Sequence, residues 1–496
     1  MLLSVAVILV AVFSTSSPLY PLNPWDDANI FFTVGRAMKH GELLYRDIFD
    51  QKGPVLFLLH WLAADISESS FLGVYVLEVI GMYVFLWYSM RTARLFGNLE
   101  QAVVSACLAG LLMISSDFFF YGDSAEEFML PFLAYSQFMM LHYAQRYVVP
   151  KWYESFGFGI GIALIAWVKF TVLAFYAGAL PAMLYIAYRR GMLREMWHVV
   201  IFAIMGFTFL SLVIVGYFAY LGTLSEMYDS FFFANIFQYN SVSSNGEPQT
   251  WWFKACKLGV ILLAVILIIS QKVRRDNKTI IIASLVPMLA CLALFTVQIY
   301  YFLILYVFMP LILSYLFRYV SIRKVYVVAA FVAIVATVTN FNFMSLVYGS
   351  VPYNVIEASD IINADKTKDN RVFSYSTHET DAYTLTGQLP PVKYFFISFL
   401  QRPEIRSEQI GAAQSGEFRY LIQKKDVPGV PDAFFRFPIP RMYRVIYDKE
   451  ETFRYIFVIH PLYYLWTLGY PRSMMLKCGF NPNEMFRQRI VLYERI

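Results

Sequence analysis

The sequence predicts a polytopic α-helical membrane protein that carries a folded domain outside the membrane. Of its 496 residues, 58% are hydrophobic and only 15% are charged, which is too little charge to cover the surface of a soluble protein of this length. Apolar segments near the length of about 20 residues that spans a bilayer recur along the first two-thirds of the chain. Beyond residue 345, charged residues occur throughout.

About eleven spans are predicted from these apolar segments. Alternate connectors carry clusters of Arg and Lys, such as Arg189, Arg190 and Arg194, and the positive-inside rule places such connectors in the cytoplasm. One topology satisfies every connector, with the N-terminus cytoplasmic and the C-terminus extracytoplasmic. The predicted spans are 2–17, 72–90, 101–116, 128–147, 156–170, 172–187, 199–221, 255–271, 279–297, 299–317 and 325–345.

Three apolar segments need a separate interpretation. Segment 156–187 is predicted to form two short spans around Lys169, since one long helix would reverse every later connector. The first run, 1–13, lacks the charged region of a signal peptide, so an uncleaved first span is expected. Segment 54–66 is too short to cross and is predicted to be interfacial or buried.

The chain therefore divides into a membrane domain, residues 1–345, and an extracytoplasmic domain, residues 346–496. The second part mixes strand-like runs at 371–375, 443–447 and 490–493 with a helix-like segment at 407–423, which indicates an α/β or α+β domain. His378 and Asp381 are predicted to lie in a surface turn of this domain.

Two functional classes are not indicated. The net charge of +5 does not point to nucleic-acid binding, because the basic residues lie in short clusters between spans. The four cysteines have no CxxC or Cys/His spacing, so neither a structural zinc site nor a disulfide framework is predicted. The protein is expected to be integral to a cell membrane and surrounded by its lipid bilayer.

The outer loop 18–71 concentrates charge close to the membrane, which is costly unless the charge is used. Apolar residues at helical spacing predict an amphipathic helix over 28–40 that lies along the membrane surface. Asp26 and Asp27 fall in its first turn, where a carboxylate suits the helix dipole. One carboxylate is enough for capping. The other is free to act on a substrate, and capping and function are equally compatible with either residue.

Lys52 lies just before Gly53 and Pro54, and Pro54 suits the first position of a second helix. Backbone N–H groups at a helix start favour an anion, so an ammonium beside them forms a plausible phosphate site. The alternative is a lysine that extends to the lipid headgroups. Tyr45, Arg46 and Asp47 precede this segment in the same loop.

The order of residues after the first span resembles membrane glycosyltransferases of the GT-C superfamily. The closest resemblance is to the family 39 branch that uses polyprenyl-phosphate sugars, which includes protein O-mannosyltransferases and the lipid A aminoarabinose transferase. One departure is that the family's lysine motif often reads Lys-Pro-Pro, where this chain has Lys-Gly-Pro. The matching residues are Asp27, Phe31, Arg36, Gly41, Tyr45, Asp47, Lys52 and Pro54.

Further matches extend the resemblance over most of residues 1–320. Asp123, Glu126 and Glu127 resemble the family's acidic second outer loop and are candidates for binding sugar hydroxyls, although a solvated acidic loop is the more common outcome. Lys169 resembles a lysine at a span junction, a candidate for the donor phosphate, with snorkelling as the alternative. Tyr301 belongs to a late aromatic span and is a candidate for the substrate.

The resemblance implies an inverting glycosyltransferase that takes a sugar from a polyprenyl-phosphate donor. A base must accept the proton of the acceptor hydroxyl, and positive charge must stabilise the leaving phosphate. Asp27 fits the first role, with Asp26 as the alternative, and Lys52 the second, with Arg46 as a helper. The acceptor would be an envelope glycan, a lipid or a protein. No cofactor is predicted, although carboxylates alone suit a divalent metal.

Two other classes remain as alternatives. A transporter or flippase would place ionisable residues near the midplane, often in paired repeats, whereas here they gather in an outer loop. A polysaccharide polymerase or ligase would also act on polyprenyl-linked glycans.

Overall fold

The computed structural model is mostly helical, with one small sheet near the C-terminus. Among the described residues, five stretches are long and apolar enough to cross a membrane: Leu72–Arg94, Trp152–Arg190, Leu193–Tyr220, Tyr300–Phe317 and Ile322–Thr339. These helices mark a membrane protein; the count of eleven spans and their orientation stay predictions. The structure describes residues 1–238, 274–295, 298–348, 353–367, 369–378, 380–398, 400, 402–425, 437–452 and 487–496. The predicted span 255–271 lies outside them.

The helices of the N-terminal two-thirds follow the predicted apolar segments closely. Predicted span 299–317 is a 3₁₀ helix, Ile299–Phe308, that continues into an α-helix. The helices up to that point are α1 (Leu2–Phe13), α2 (Asp26–Lys39), α3 (Pro54–Ile66), α4 (Leu72–Arg94), α5 (Leu99–Ile114), α6 (Ala125–Arg146), α7 (Trp152–Lys169), α8 (Ala174–Arg190), α9 (Leu193–Tyr220), α10 (Leu224–Met227) and α11 (Arg275–Phe295). They are followed by α12 (Met309–Phe317), α13 (Ile322–Thr339), α14 (Phe341–Tyr348), α15 (Tyr353–Ala364), α16 (Asp381–Thr386) and α17 (Pro403–Ser415).

The apolar stretch 152–190 breaks after Lys169, as the sequence predicts. A 3₁₀ turn, Phe170–Leu173, separates α7 from α8. Lys169 contacts Glu126 at the start of α6, while Arg190 and Tyr147, which follows α6, both donate to Asp276. The end of α8 therefore lies beside the end of α6, so α8 runs in the direction opposite to α7.

The two helices of the outer loop form as predicted, but α2 is buried. Its residues 28–37 are all buried, including Asn29, Thr33 and Arg36, which the helical pattern places on the polar side. The guanidinium of Arg36 donates to the carbonyl of Tyr383 at 3.0 Å. α3 covers one side of α2 and residues 381–386 cover another, so the polar side does not face water; the position of the helix along the membrane surface stays a prediction.

The predicted C-terminal domain, residues 346–496, contains a mixed four-stranded sheet. Its order is β1 (Val372–Ser374), β2 (Tyr420–Lys425), β4 (Arg487–Arg495) and β3 (Tyr443–Thr452). β1 and β2 are parallel and the other pairs are antiparallel. The predicted helix over 407–423 ends instead at Ser415, because Gly416 takes a left-handed conformation (φ 68°) that terminates helices. Residues 420–423 belong to β2.

Candidate active site

Asp26 and Asp27 stand side by side in the first turn of α2, but they point to different partners. The phenol of Tyr300 donates to Asp27 Oδ2 at 2.9 Å. The ammonium of Lys424 donates to Asp26 Oδ1 at 2.8 Å. Successive helical residues are about 100° apart around the axis, so one carboxylate faces the membrane helices and the other faces the C-terminal domain. The N-cap residue, Trp25, makes no side-chain capping bond.

The environment of Asp27 suits a base. Burial raises the pKa of its carboxyl above the usual value, while the Lys52 ammonium and the Tyr300 hydrogen bond lower it. The net shift is upward. A carboxylate with a raised pKa holds an abstracted proton better than an exposed one.

Lys52 is held at the start of α3 by its backbone. Its N–H donates to Asp50 Oδ1 at 2.7 Å and its carbonyl accepts from Tyr45 at 2.7 Å. Gly53 caps α3 and donates to the carbonyl of Val168 at 3.2 Å, close to the end of α7. Proline at residue 53 would lack this donor, and any β-carbon there would overlap the carbonyl of Trp167. This contact accounts for Lys-Gly-Pro in place of Lys-Pro-Pro.

A cavity of about 350 Å³ opens beside Lys52. Polar and apolar side chains both line it, the apolar ones coming from the end of α7, the 3₁₀ turn 170–173, α8, residues 231–236, α11 and the 3₁₀ helix 299–308. The polar lining consists of Gln51, Lys52, Glu126, Lys169, Thr171, Asn235 and Tyr301, and the apolar lining includes Val172, Ala174, Met288, Leu292 and Ile304.

Lys169, Glu126 and Tyr301 meet in the wall of this cavity. Lys169 Nζ lies 2.5 Å from Glu126 Oε1 and 3.1 Å from the centroid of the Tyr301 ring. The Glu126 side chain is only 2% exposed, and its Oε2 has no hydrogen-bond partner among the described residues. Lys169 is therefore an ion-paired residue in a cavity wall. It is not a lysine that extends to the headgroups.

Asp123 and Glu127 belong to a buried acidic cluster, and the expectation of a solvated acidic loop is wrong. The Asp123 N–H donates to Glu78 Oε1 at 2.8 Å and to Glu127 Oε2 at 3.0 Å. Asp123 Oδ1 lies 2.9 Å from His60 Nε2, and His60 Nδ1 lies 2.8 Å from a backbone carbonyl. Because that carbonyl can only accept, His60 Nδ1 must carry a proton. A second proton must then lie between His60 Nε2 and Asp123 Oδ1. Burial raises the pKa of Asp123, with His60 lowering it.

Arg46 and Asp47 lie apart from the other candidates. They form an ion pair with each other at 2.7 Å, and half of the Arg46 side chain is exposed. Neither residue lines the cavity. The placement of Arg46 and Asp47 beside a donor is therefore not supported by this geometry.

Four residues outside the predicted site contribute to this region, and of these only Tyr300, paired with Tyr301 in the late aromatic span, belonged to a sequence motif. Tyr300 and Lys424 bind the two aspartates, and Glu78 and His60 complete the acidic cluster. The signal in each case was weak: Glu78 is an acid within an apolar span, and Tyr300 adjoins Tyr301. His378 also differs from the prediction, because it is buried and not in an exposed turn. Burial lowers its pKa to about 4.

Nothing in the described residues groups three or more His, Cys, Asp or Glu side chains in a way that could hold a metal ion. The carboxylates of the acidic cluster are bound to backbone N–H groups, Ser14 and His60.

No family model and no curated protein matches this chain. Among solved structures, it is similar to the Archaeoglobus fulgidus oligosaccharyltransferase in complex with Zn and sulfate, with 13% identity and a TM-score of 0.46 over 100% of this chain and 88% of that one. The same enzyme tethered to an acceptor peptide gives 13% identity and a TM-score of 0.44 over 85% and 68%. Because both TM-scores are below 0.5, assignment to a glycosyltransferase superfamily stays a proposal that rests on the residues of this chain.

Proposed function

We propose that this chain is an inverting glycosyltransferase of the GT-C type, acting at the outer face of a cell membrane. It would move a sugar from a polyprenyl-phosphate donor to an envelope glycan, a lipid or a protein. The observation that carries the proposal is a buried carboxylate, Asp27, within electrostatic reach of a cation, Lys52, that lines an amphipathic cavity; Asp27 itself does not line it. The positive charge of Lys52 lowers the pKa of Asp27, and Lys52 lines the cavity.

The polarity of the cavity suits a lipid phosphate. A phosphate would bind between Lys52 and Lys169, both of which line the cavity. A polyprenyl chain would follow the apolar lining of Met288, Leu292 and Ile304 toward the membrane interior. A soluble nucleotide sugar would gain nothing from that apolar lining.

The reaction would be a direct displacement at the anomeric carbon. The acceptor oxygen forms a bond to that carbon as the bond to the phosphate oxygen breaks, and the configuration inverts. The acceptor proton passes to the Asp27 carboxylate, and the negative charge that grows on the phosphate is stabilised by the Lys52 ammonium. Tyr300 holds Asp27 in position through Oδ2.

The donor sugar would contact the acidic side of the cavity. Glu126 Oε2 is a buried acceptor without a partner among the described residues, and a sugar hydroxyl would supply the missing hydrogen bond. Asp123 and Glu127 would support this side from beneath and would not touch the donor. The membrane domain, 1–345, would bind the donor, and the domain 346–496 would cover the site from outside.

The test is sugar transfer by the purified full chain. Undecaprenyl phosphate carrying a radiolabelled hexose or pentose is the donor, and an envelope extract supplies acceptors. Lys52→Met should lower transfer about 100-fold, since one lost charge contact to a transition state costs about 3 kcal/mol. The matched control is Lys39→Met, which removes an outer-loop lysine paired with Asp65 and Glu68 and should keep normal transfer. Absence of transfer by wild type with every donor, or full transfer by Lys52→Met, contradicts the proposal. Movement of intact labelled lipid between leaflets would indicate a flippase instead.

A further inference from the structure

We propose that Lys424, in the C-terminal domain, is a positioning residue for the active site. By pairing with Asp26 it neutralises the charge next to Asp27 and keeps Asp27 as the one carboxylate that serves as base. This inference rests on the proposed role of Asp27. It assigns to the C-terminal domain a part in the chemistry, although that domain need not touch the donor.

The ion pair is built into the interface between domains. Lys424 lies in β2, in the interior of the sheet, and its backbone N–H donates to Thr377 at 3.3 Å. Its side chain is 13% exposed and that of Asp26 is 24% exposed. The charges of Lys424 and Asp26 also act on His378 and Tyr121. Asp26 thus faces Lys424, His378 and Tyr121.

Asp27 has a different set of charged neighbours on its side of the helix. Lys52 and Tyr300 favour its ionised form, while Asp26 and Glu126 oppose it. Asp50 and Asp123 also lie within electrostatic reach of Asp27. Because acidic groups outnumber Lys52 in this set, an unpaired Asp26 would add a further negative charge that the site cannot compensate.

Docking of the C-terminal domain does not depend on Lys424 alone. Arg402 pairs with Asp229 at 2.8 Å, and its side chain is 10% exposed. Arg36 binds the carbonyl of Tyr383, and Ser398 donates to Gln51 at 3.1 Å. These contacts hold the two domains together when the Lys424 charge is removed, and Arg402→Met is therefore a matched control that removes an interdomain ion pair away from Asp27.

The experiment measures protonation of Asp27 directly in the purified full chain. A carbodiimide modifies protonated carboxyls, and peptide fragment spectra assign the modification to Asp27 at each pH. The midpoint is the pH at which Asp27 is half modified. In Lys424→Met this midpoint should rise by about one pH unit, the size of shift that a neighbouring like charge produces. Lys424→Arg should keep the wild-type midpoint. Asp26→Asn alone should lower it, because Lys424 then acts on Asp27 without its partner.

The double variant Lys424→Met with Asp26→Asn should return the midpoint to near the wild-type value, and Arg402→Met should leave it unchanged. An unchanged midpoint in Lys424→Met, an equal shift in Arg402→Met, or no reversal in the double variant would overturn the inference. Asp26→Asn supplies the opposite shift as a second test if Lys424→Met does not fold. If these shifts occur and wild type transfers no sugar, the inference stands and the proposed function fails.

Discussion

The pair formed by Lys169 and Glu126 gives a prediction that separates stability from catalysis. Among the described residues, Lys169 is the only cation in hydrogen-bond contact with Glu126, whose side chain is 2% exposed, and Lys169→Met removes it. Leaving a buried charge without its partner costs about 3–5 kcal/mol. At about 2–4 °C per kcal/mol for a large domain, the Tm should fall by about 6–20 °C.

The double variant Lys169→Met with Glu126→Gln removes both charges, so most of the Tm should return. If Lys169 binds the donor phosphate, sugar transfer stays low in this double variant despite the recovered Tm. Tm is followed by intrinsic tryptophan fluorescence of the detergent-purified chain, and transfer by the radiolabelled assay. Lys39→Met, which breaks partly exposed ion pairs, should change Tm far less. An unchanged Tm in Lys169→Met refutes the buried pair, and full transfer by the double variant refutes the phosphate role.

Three further predictions concern single residues. Tyr300→Phe removes a hydrogen bond that favours ionised Asp27, so the acid limb of the pH–rate profile for transfer should move up by about one pH unit; an unmoved limb contradicts this role. Burial raises the pKa of Asp50 to about 6, so its proton-linked stability is complete at low pH and lost as pH rises through 6; Asp50→Asn should raise the free energy of unfolding at pH 7.5 by up to about 3 kcal/mol, seen as a higher Tm, and should not change it at pH 4. Arg46→Met should keep transfer within about threefold of wild type, because the residue does not line the cavity; a loss as large as that of Lys52→Met, about 100-fold, would restore Arg46 to the donor site.

Local sequence features predicted the elements around the site. The pair Asp26-Asp27 does start a helix, Pro54 does open the next one, and the chain does break at Lys169. The strand-like runs of the C-terminal domain are also strands. These features depend on capping, proline geometry and periodicity, which act over a few residues and can be read without the tertiary fold.

The partners of those elements could not be predicted, because they come from distant parts of the chain. Tyr300 and Asp27 are 273 residues apart, and Lys424 and Asp26 are 398 residues apart. The sequence did not predict the burial of α2 or of Asp123, for the same reason. A polar side in a sequence pattern predicts exposure to water only when no other part of the protein covers that side. Here the C-terminal domain and α3 cover α2.

The central claim is that Asp27, and not its neighbour Asp26, is the base of a glycosyl transfer. The most direct measurement compares transfer from a radiolabelled undecaprenyl-phosphate sugar by Asp27→Asn and Asp26→Asn, two isosteric changes at adjacent residues of one helical turn. Transfer should fall at least about 100-fold in Asp27→Asn and stay within about threefold of wild type in Asp26→Asn. Full transfer by Asp27→Asn, or loss in Asp26→Asn alone, would contradict the claim.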